Sequence, residues 1–227
     1  MKPQPSSGRS SRERLLLAAK RLFADQGYEQ TATSAIAREA GTSESQLMRY
    51  FGGKVGVLQA LFDAAWIDLN ARVQRAMDSR GTNRDVILDV LQTISAALAR
   101  DPDLATLVLF EGRRLRGGKP RVHVSKGFLA FADLMKGIVR KAQATREISP
   151  SLDAGAVTSS IMGASEAMIR DRLFARTLGG RSFAEREIRV TLDAMLAGFA
   201  PRKSPAARPR AKSGRRRPSP PRVRAVR

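Results

Sequence analysis

Residues 36–54 read IAREAGTSESQLMRYFGGK, two short helical patterns hinged at Gly41, the second polar where a core helix would be apolar. Ala37, Gly41, Leu47 and Tyr50 follow one another at intervals of four, six and three, the small, glycine, apolar, apolar order that a helix-turn-helix requires. A small Ala37 lets the two helices cross closely, and Gly41 takes a turn conformation that a Cβ would resist. Ile36, Ala40 and Leu47 then face inward, and Ser43 falls where an N-cap belongs. That leaves Glu44, Ser45 and Gln46, beside Ser43, on the exposed first turn of the second helix, the part that can enter a major groove. Gln46 can pair bidentately with adenine. Glu44 can accept from cytosine, or it is a helix-start acid favoured by the dipole. A surface helix of an ordinary bundle would not need this glycine and small-residue spacing.

Outward from this stretch, nearly everything has helical period. Ser10 and Glu13 form a capping box ahead of the apolar stripe Leu15, Leu16, Ala19, Leu22 and Phe23, which stops at Gly27. Thr31–Ala40 and Glu44–Phe51 are shorter than the roughly twelve residues an isolated helix needs, so packing on the first helix must hold them. Further helices are expected over Val55 to about Met77, Asp85–Leu98, Leu104–Arg114, Phe128–Ala144, Leu152–Arg176 and Phe183–Phe199, with no competing strand alternation. The expected fold is all-α. A disordered N-terminal arm (1–9) and a three-helix DNA-binding domain (10–54) precede a larger helical domain (55–200) and a disordered basic tail (201–227).

The chain has 227 residues and a formal net charge of +20, a surplus that favours a polyanion such as nucleic acid. Eleven Lys or Arg and no acid lie in 201–227, leaving +9 on residues 1–200. Pro, Ser and Arg without an apolar period cannot bury enough surface to offset the entropy of ordering. There is no cysteine, and His123 is the single histidine, which excludes thiolate and His-rich metal sites; no metal and no cofactor are expected. The N-terminus lacks an apolar run after its basic residues, and no stretch of about eighteen apolar residues exists. A cytoplasmic chain with no membrane span is expected. His123 follows a loop proline without an acid partner or nucleophile, and the glycines form neither a phosphate loop nor a dinucleotide fingerprint, so no enzyme is expected.

Two segments, RLLLAAKRLFADQGYEQT (14–31) and IAREAGTSESQLMRYFGGKVGVLQALF (36–62), resemble the tetracycline-repressor-like (TetR) family of transcriptional regulators. The resemblance covers about residues 11–62; beyond it the helices agree in number and length. It implies an all-helical homodimer whose N-terminal domains each read one operator half-site, while the larger domain binds an effector and controls the spacing of the two readers. It also implies that Thr33, Tyr50 and Lys54 contact phosphate and that Ser43, Glu44, Ser45 and Gln46 lie on or beside bases. Ala32 stands where a Ser or Thr often caps the second helix, which moves the cap to Thr31 or Thr33, and Met48 replaces a common tyrosine. Lys54 opens a helix after Gly52-Gly53, where its ammonium and the free N–H groups of the helix start can meet one phosphate. Arg49, one residue off the base-reading face, is a backbone contact. The expected phosphate-contacting set is therefore Thr31, Thr33, Arg49, Tyr50 and Lys54.

Leu58, Phe62, Trp66, Leu69, Phe110, Phe128, Phe131 and Met135 can line either a packed core or an effector cavity, and sequence does not separate the two. If a cavity exists, its polar groups come from Glu111, Gln92 or His123, and its ligand is largely apolar. Val157, Ile161, Ala164 and Met168 recur at intervals of four, three and four, as do Ile188, Leu192, Met195 and Phe199. With Gly163 and Ala167 allowing close approach, both stripes are candidates for a homodimer four-helix bundle; the alternative is that they face the chain's own core. The expected function is a DNA-binding regulator of the repressor type, released from its operator by a largely apolar small molecule. The alternative is an architectural, nucleoid-type DNA-binding protein without an effector; a membrane-surface role lacks an amphipathic or lipidated anchor.

Overall fold

The computed structural model describes residues 9–77, 81–111 and 125–201, and the described residues are all-helical. Helix α1 (Ser11–Gln26) starts at the expected capping box: the Ser10 hydroxyl accepts from Glu13 N at 3.2 Å, and the Glu13 carboxylate accepts from Ser10 N at 2.8 Å. Its stripe buries Leu15, Ala19 and Phe23 against α2 (Thr33–Glu39) and α3 (Glu44–Phe51). Helix α2 is shorter than the expected Thr31–Ala40 and has Ala32 as its N-cap with no side-chain bond. Neither Thr31 nor Thr33 takes over that cap, because their hydroxyls are engaged elsewhere.

Helix α4 (Lys54–Met77) leaves the first three helices and runs into the body, burying Val57, Leu58, Leu61, Phe62, Ala65, Trp66, Leu69 and Val73 along one side. Its start is pressed onto the end of α3, since a Cβ added at Gly56 would stand 1.7 Å from the Phe51 carbonyl oxygen. Then come α5 (Asn83–Arg100), a short α6 (Pro102–Thr106) that widens into a π-helical turn (Leu107–Glu111), α7 (Lys126–Ala144), α8 (Ala154–Leu178) and α9 (Glu185–Gly198). The helix expected over Leu104–Arg114 is thus split, and the remainder of that segment lies outside the described residues, as do His123, the basic loop 113–121, residues 1–8 and residues 202–227.

Helix α5 is the hub of the body, packed on α4, α7, α8 and α9 through Ile87, Leu88, Val90, Leu91, Ile94 and Leu98. Removing one such fully buried side chain from water stabilises the fold by about 1.5–3 kcal/mol. Polar contacts fix the register. Glu147, after α7, caps the start of α5 by accepting from Arg84 N at 2.9 Å and from the Asn83 side chain at 2.8 Å, with Thr145 donating at 2.8 Å. Burial on its own would raise the Glu147 carboxyl, but the donors from Arg84, Thr145 and Asn83 together hold it below the usual glutamate range. Arg84 reaches Asp193 at 2.7 Å and Arg189 reaches Asp89 at 2.8 Å, so α5 and α9 are joined by two reciprocal ion pairs.

Several expected roles change in this packing. Trp66 packs its ring on Phe128 and on Phe131, each at 5.3 Å, with Met135 fully buried among the core residues, while Phe110 packs on Phe174 at 5.6 Å. These groups therefore act as core through ring-on-ring contact. Phe62 instead lines a cleft beside α1. Gln92 is exposed and accepts from Arg189 at 2.7 Å, which removes it from any interior polar set; the Glu111 side chain lies outside the described residues. Val157, Ile161, Ile188 and Leu192, four of the eight expected interface residues, are buried within the single chain where α8 and α9 pack on α5. Ala164, Met168, Met195 and Phe199 are partly covered by that same core. Both stripes are helical, and the core takes Val157, Ile161, Ile188 and Leu192 because α5 supplies the facing apolar surface.

Candidate nucleic-acid interface

Gly41 has φ +61°, the left-handed conformation that frees the chain to reverse between α2 and α3, and Thr42 N donates to Ala37 O at 2.9 Å across the turn. Ile36 and Leu47, both fully buried, pin the two helices to α1. Arg14 of α1 donates through Nε to Ala40 O at 3.0 Å, closing the C-terminal end of α2. Sequence periodicity does not single out Arg14; the signal was the orphaned carbonyl that any helix ending before a glycine turn must satisfy.

Ser43 is the N-cap of α3, its hydroxyl accepting from Gln46 N at 3.2 Å. Ser43, Glu44 and Ser45 are exposed and Gln46 is half-buried, on one turn of a helix whose opposite side holds Leu47 in the core. Two of these side chains are oriented by neighbouring hydroxyls. Thr33 donates to the Glu44 carboxylate, and the Thr42 hydroxyl bonds Oε1 of Gln46. Glu44 is thereby drawn toward α2, while the Gln46 amide is held at the front of α3.

The expected phosphate set divides. Tyr50 and Arg49 are exposed at the end of α3, the Arg49 guanidinium lying 5.1 Å over the Tyr50 ring, and together they present a hydroxyl and a cation to solvent. Thr33 is half-buried beside Glu44. Thr31 is 1% exposed, and its hydroxyl donates to Gly27 O at 2.8 Å, so it satisfies the C-terminal end of α1 and is shielded from any phosphate. The Lys54 ammonium donates to Tyr28 O at 3.0 Å and Glu29 O at 3.2 Å and sits 4.5 Å from the Tyr28 ring centroid. That side chain staples the α1–α2 connection to the start of α4; the pull of two carbonyls and a buried aromatic face outweighs a solvated position.

An α1-braced pair of short helices, a capped and exposed α3 and a cationic, hydroxyl-bearing end define a helix-turn-helix DNA-binding protein. Residues 15–61 match the family model for bacterial regulatory proteins of the tetR family. Among curated proteins, it is 25% identical over 146 residues to the fatty acid metabolism regulator protein of Bacillus subtilis, covering 64% of this chain and 75% of that one. It is also 25% identical over 158 residues to the nucleoid occlusion factor SlmA of Vibrio cholerae, covering 67% and 78%. Among solved structures, the fatty acid degradation regulator FadR from Bacillus halodurans shares the fold with a TM-score of 0.74 at 18% identity, over 85% of this chain and 97% of that one. FadR from Bacillus subtilis, solved in complex with stearoyl-CoA, gives 0.72 at 20% identity, over 82% and 98%. Among the described residues no helix is long and apolar enough to cross a membrane.

Proposed function

We propose that this chain is a cytoplasmic homodimeric repressor that holds an operator through α3 and releases it when a largely apolar small molecule binds the body. The observation that carries the reading is the turn Ser43, Glu44, Ser45 and Gln46, exposed at its first three residues and half-buried at Gln46, on a helix whose reverse side is anchored by Leu47. In this reading residues 10–54 are the reader and 55–200 the ligand-binding and dimerisation body. Base contacts fall to Ser43, Ser45 and Gln46, with Glu44 as an acceptor turned toward α2. Phosphate contacts fall to Thr33, Arg49 and Tyr50. Binding of a largely apolar small molecule is supported by the similarly folded FadR of Bacillus subtilis, solved in complex with stearoyl-CoA.

One reader covers too few base pairs to find an operator, so a two-fold partner is needed. With the Val157 and Leu192 faces inside the chain, the surface left for a partner is the outer side of α8 and α9: exposed Gly163 with partly covered Ala164 and Ala167, and exposed Val190, Ala194 and Ala197. Small groups on α8 allow close backbone approach, and Val190 supplies an apolar contact.

The test selects preferred duplexes from a randomised pool, then compares affinity for the selected and random duplexes at two salt concentrations. A selected sequence bound at least a thousandfold more tightly than random DNA supports the repressor. Equal affinities favour the nucleoid-type alternative, to which the SlmA relative gives weight. Sedimentation of Val190→Arg with Ala194→Arg as a folded monomer that has lost tight operator binding supports the interface; a dimeric double variant refutes it.

A further inference from the structure

Helices α1, α4 and α6 enclose a cleft of about 210 Å³. Leu16, Leu17, Leu61, Phe62, Leu104 and Leu107 give it an apolar wall, and the charged groups in that wall are Lys20 and Asp101. These two form an ion pair, Nζ to Oδ2 at 2.6 Å, with side chains 23% and 35% exposed. Asp101 has a second task. Its Oδ1 accepts from Leu104 N at 3.1 Å and caps α6, so the pair ties α1 of the reader directly to the first turn of α6 in the body. Helix α6 lasts five residues before the backbone widens into the π-helical turn at Leu107, whose side chain lines the cleft. Such turns interrupt regular winding and recur at functional sites.

We propose that this cleft is a regulatory site for a small monocarboxylic acid with an apolar body of roughly eight carbon atoms, which takes Lys20 from Asp101 and so unties reader from body. The size follows from the volume: an apolar cavity of about 150 Å³ holds benzene, so this one takes a somewhat larger body and is too small for a long acyl chain. The head group follows from the wall. An apolar tail has leucines and Phe62 to cover it, and a carboxylate finds one ammonium already arranged to bond a carboxylate. Asp101 keeps its Oδ1 contact with Leu104 N while its Oδ2 is displaced, so α6 retains its cap as the link to α1 is lost. Because the ligand competes with that link, it binds the untied state better, which is the condition for shifting the equilibrium. The inference rests on the regulator reading above and adds to it where the ligand sits and what it displaces.

The experiment titrates octanoate into the full-length protein by calorimetry, with no DNA present, and separately follows release of a selected operator by fluorescence anisotropy. One octanoate per chain is expected, with 1-octanol at least tenfold weaker. Two substitutions should move octanoate affinity in opposite directions. Lys20→Gln weakens it at least tenfold, and Asp101→Asn, which keeps an acceptor for the α6 cap, strengthens it at least threefold. Leu17→Trp, at a half-exposed position whose enlargement fills the cleft without disturbing the core, should abolish binding and leave operator affinity unchanged; it stands in should either charge variant fail to fold. The proposal is overturned if octanoate does not bind, if 1-octanol binds as tightly, if the two charge variants shift affinity in the same direction, or if Leu17→Trp binds octanoate as wild type does. Loss of operator preference in the ligand-free wild type would instead refute the regulator reading, while calorimetry still decides the cleft.

Discussion

Replacing Lys54 by methionine separates two jobs that one lysine at the start of α4 can do. Methionine keeps most of the aliphatic stem and removes the ammonium, so packing changes little. In the structure that ammonium donates to Tyr28 O at 3.0 Å and Glu29 O at 3.2 Å and lies 4.5 Å from the Tyr28 ring centroid. Bonds from a charged donor carry more than neutral ones, but this site is partly solvated, and the lost bonds can be replaced by water. Two such bonds with a partly exposed cation–π contact sum to about 2 kcal/mol. For a folded region of this size that lowers Tm by about 4–8 °C. Circular dichroism melts measure it directly, and operator titrations across a salt series measure the other job. A stapling lysine predicts the Tm drop with the salt dependence of binding nearly unchanged. An unchanged Tm together with a salt slope reduced by about one unit would refute the reasoning and return Lys54 to the phosphate backbone.

Gly56→Ala places a Cβ 1.7 Å from the Phe51 carbonyl oxygen, which as backbone cannot step aside, so α4 must move; the expected loss is about 3 kcal/mol, read as a Tm lower by about 6–12 °C, and an unchanged melt would disprove the close approach. Gln46→Ala should cost about 1–3 kcal/mol on the preferred operator and relax one base pair, and Thr42→Val about 1 kcal/mol through a loosened amide; single-base operator variants test both, and equal weakening on random DNA would remove the base contact. Glu147 has a depressed folded-state pKa, so the stability it contributes is complete above the ordinary glutamate value near pH 4.3 and is lost as pH falls through the folded value. Glu147→Gln should therefore be less stable than wild type at pH 7, and the gap should close on acidification; a gap that persisted unchanged at low pH would show that the carboxylate's charge is irrelevant to the cap.

The reader was legible because its constraints are local. Gly41 needs a left-handed turn, Ser43 needs a backbone N–H three residues on, and Leu47 needs a core, and all three are written within one short stretch. Where a side chain had two possible partners, local spacing did not choose between them. Lys54 and Thr31 both looked available to phosphate, yet each meets carbonyls brought near by the chain reversal after α1. In the body, period identified faces without identifying neighbours. Ile161 and Leu192 lie on true apolar stripes, but which partner covers them depends on where α5 stands, and that is set by long-range packing. The cleft beside Phe62 escaped notice for the same reason: Lys20 and Asp101 are 81 residues apart and meet only in the fold.

Gly52 and Gly53, with φ of +69° and +122°, look like a flexible joint between reader and body, but Gly52 caps α3 by donating to Met48 O at 2.8 Å, and Gly56 presses on Phe51 just beyond it. The consequence concerns modularity. A graft that cut the chain at Gly53 and joined α1–α3 to a foreign body would lose the glycine that lets α4 seat on α3 and, with Lys54, the staple that holds the α1–α2 connection. The smallest transferable cassette therefore runs past Gly56 and takes Val57 and Leu61 with it, so that the new body inherits the first turns of α4 as part of the DNA reader.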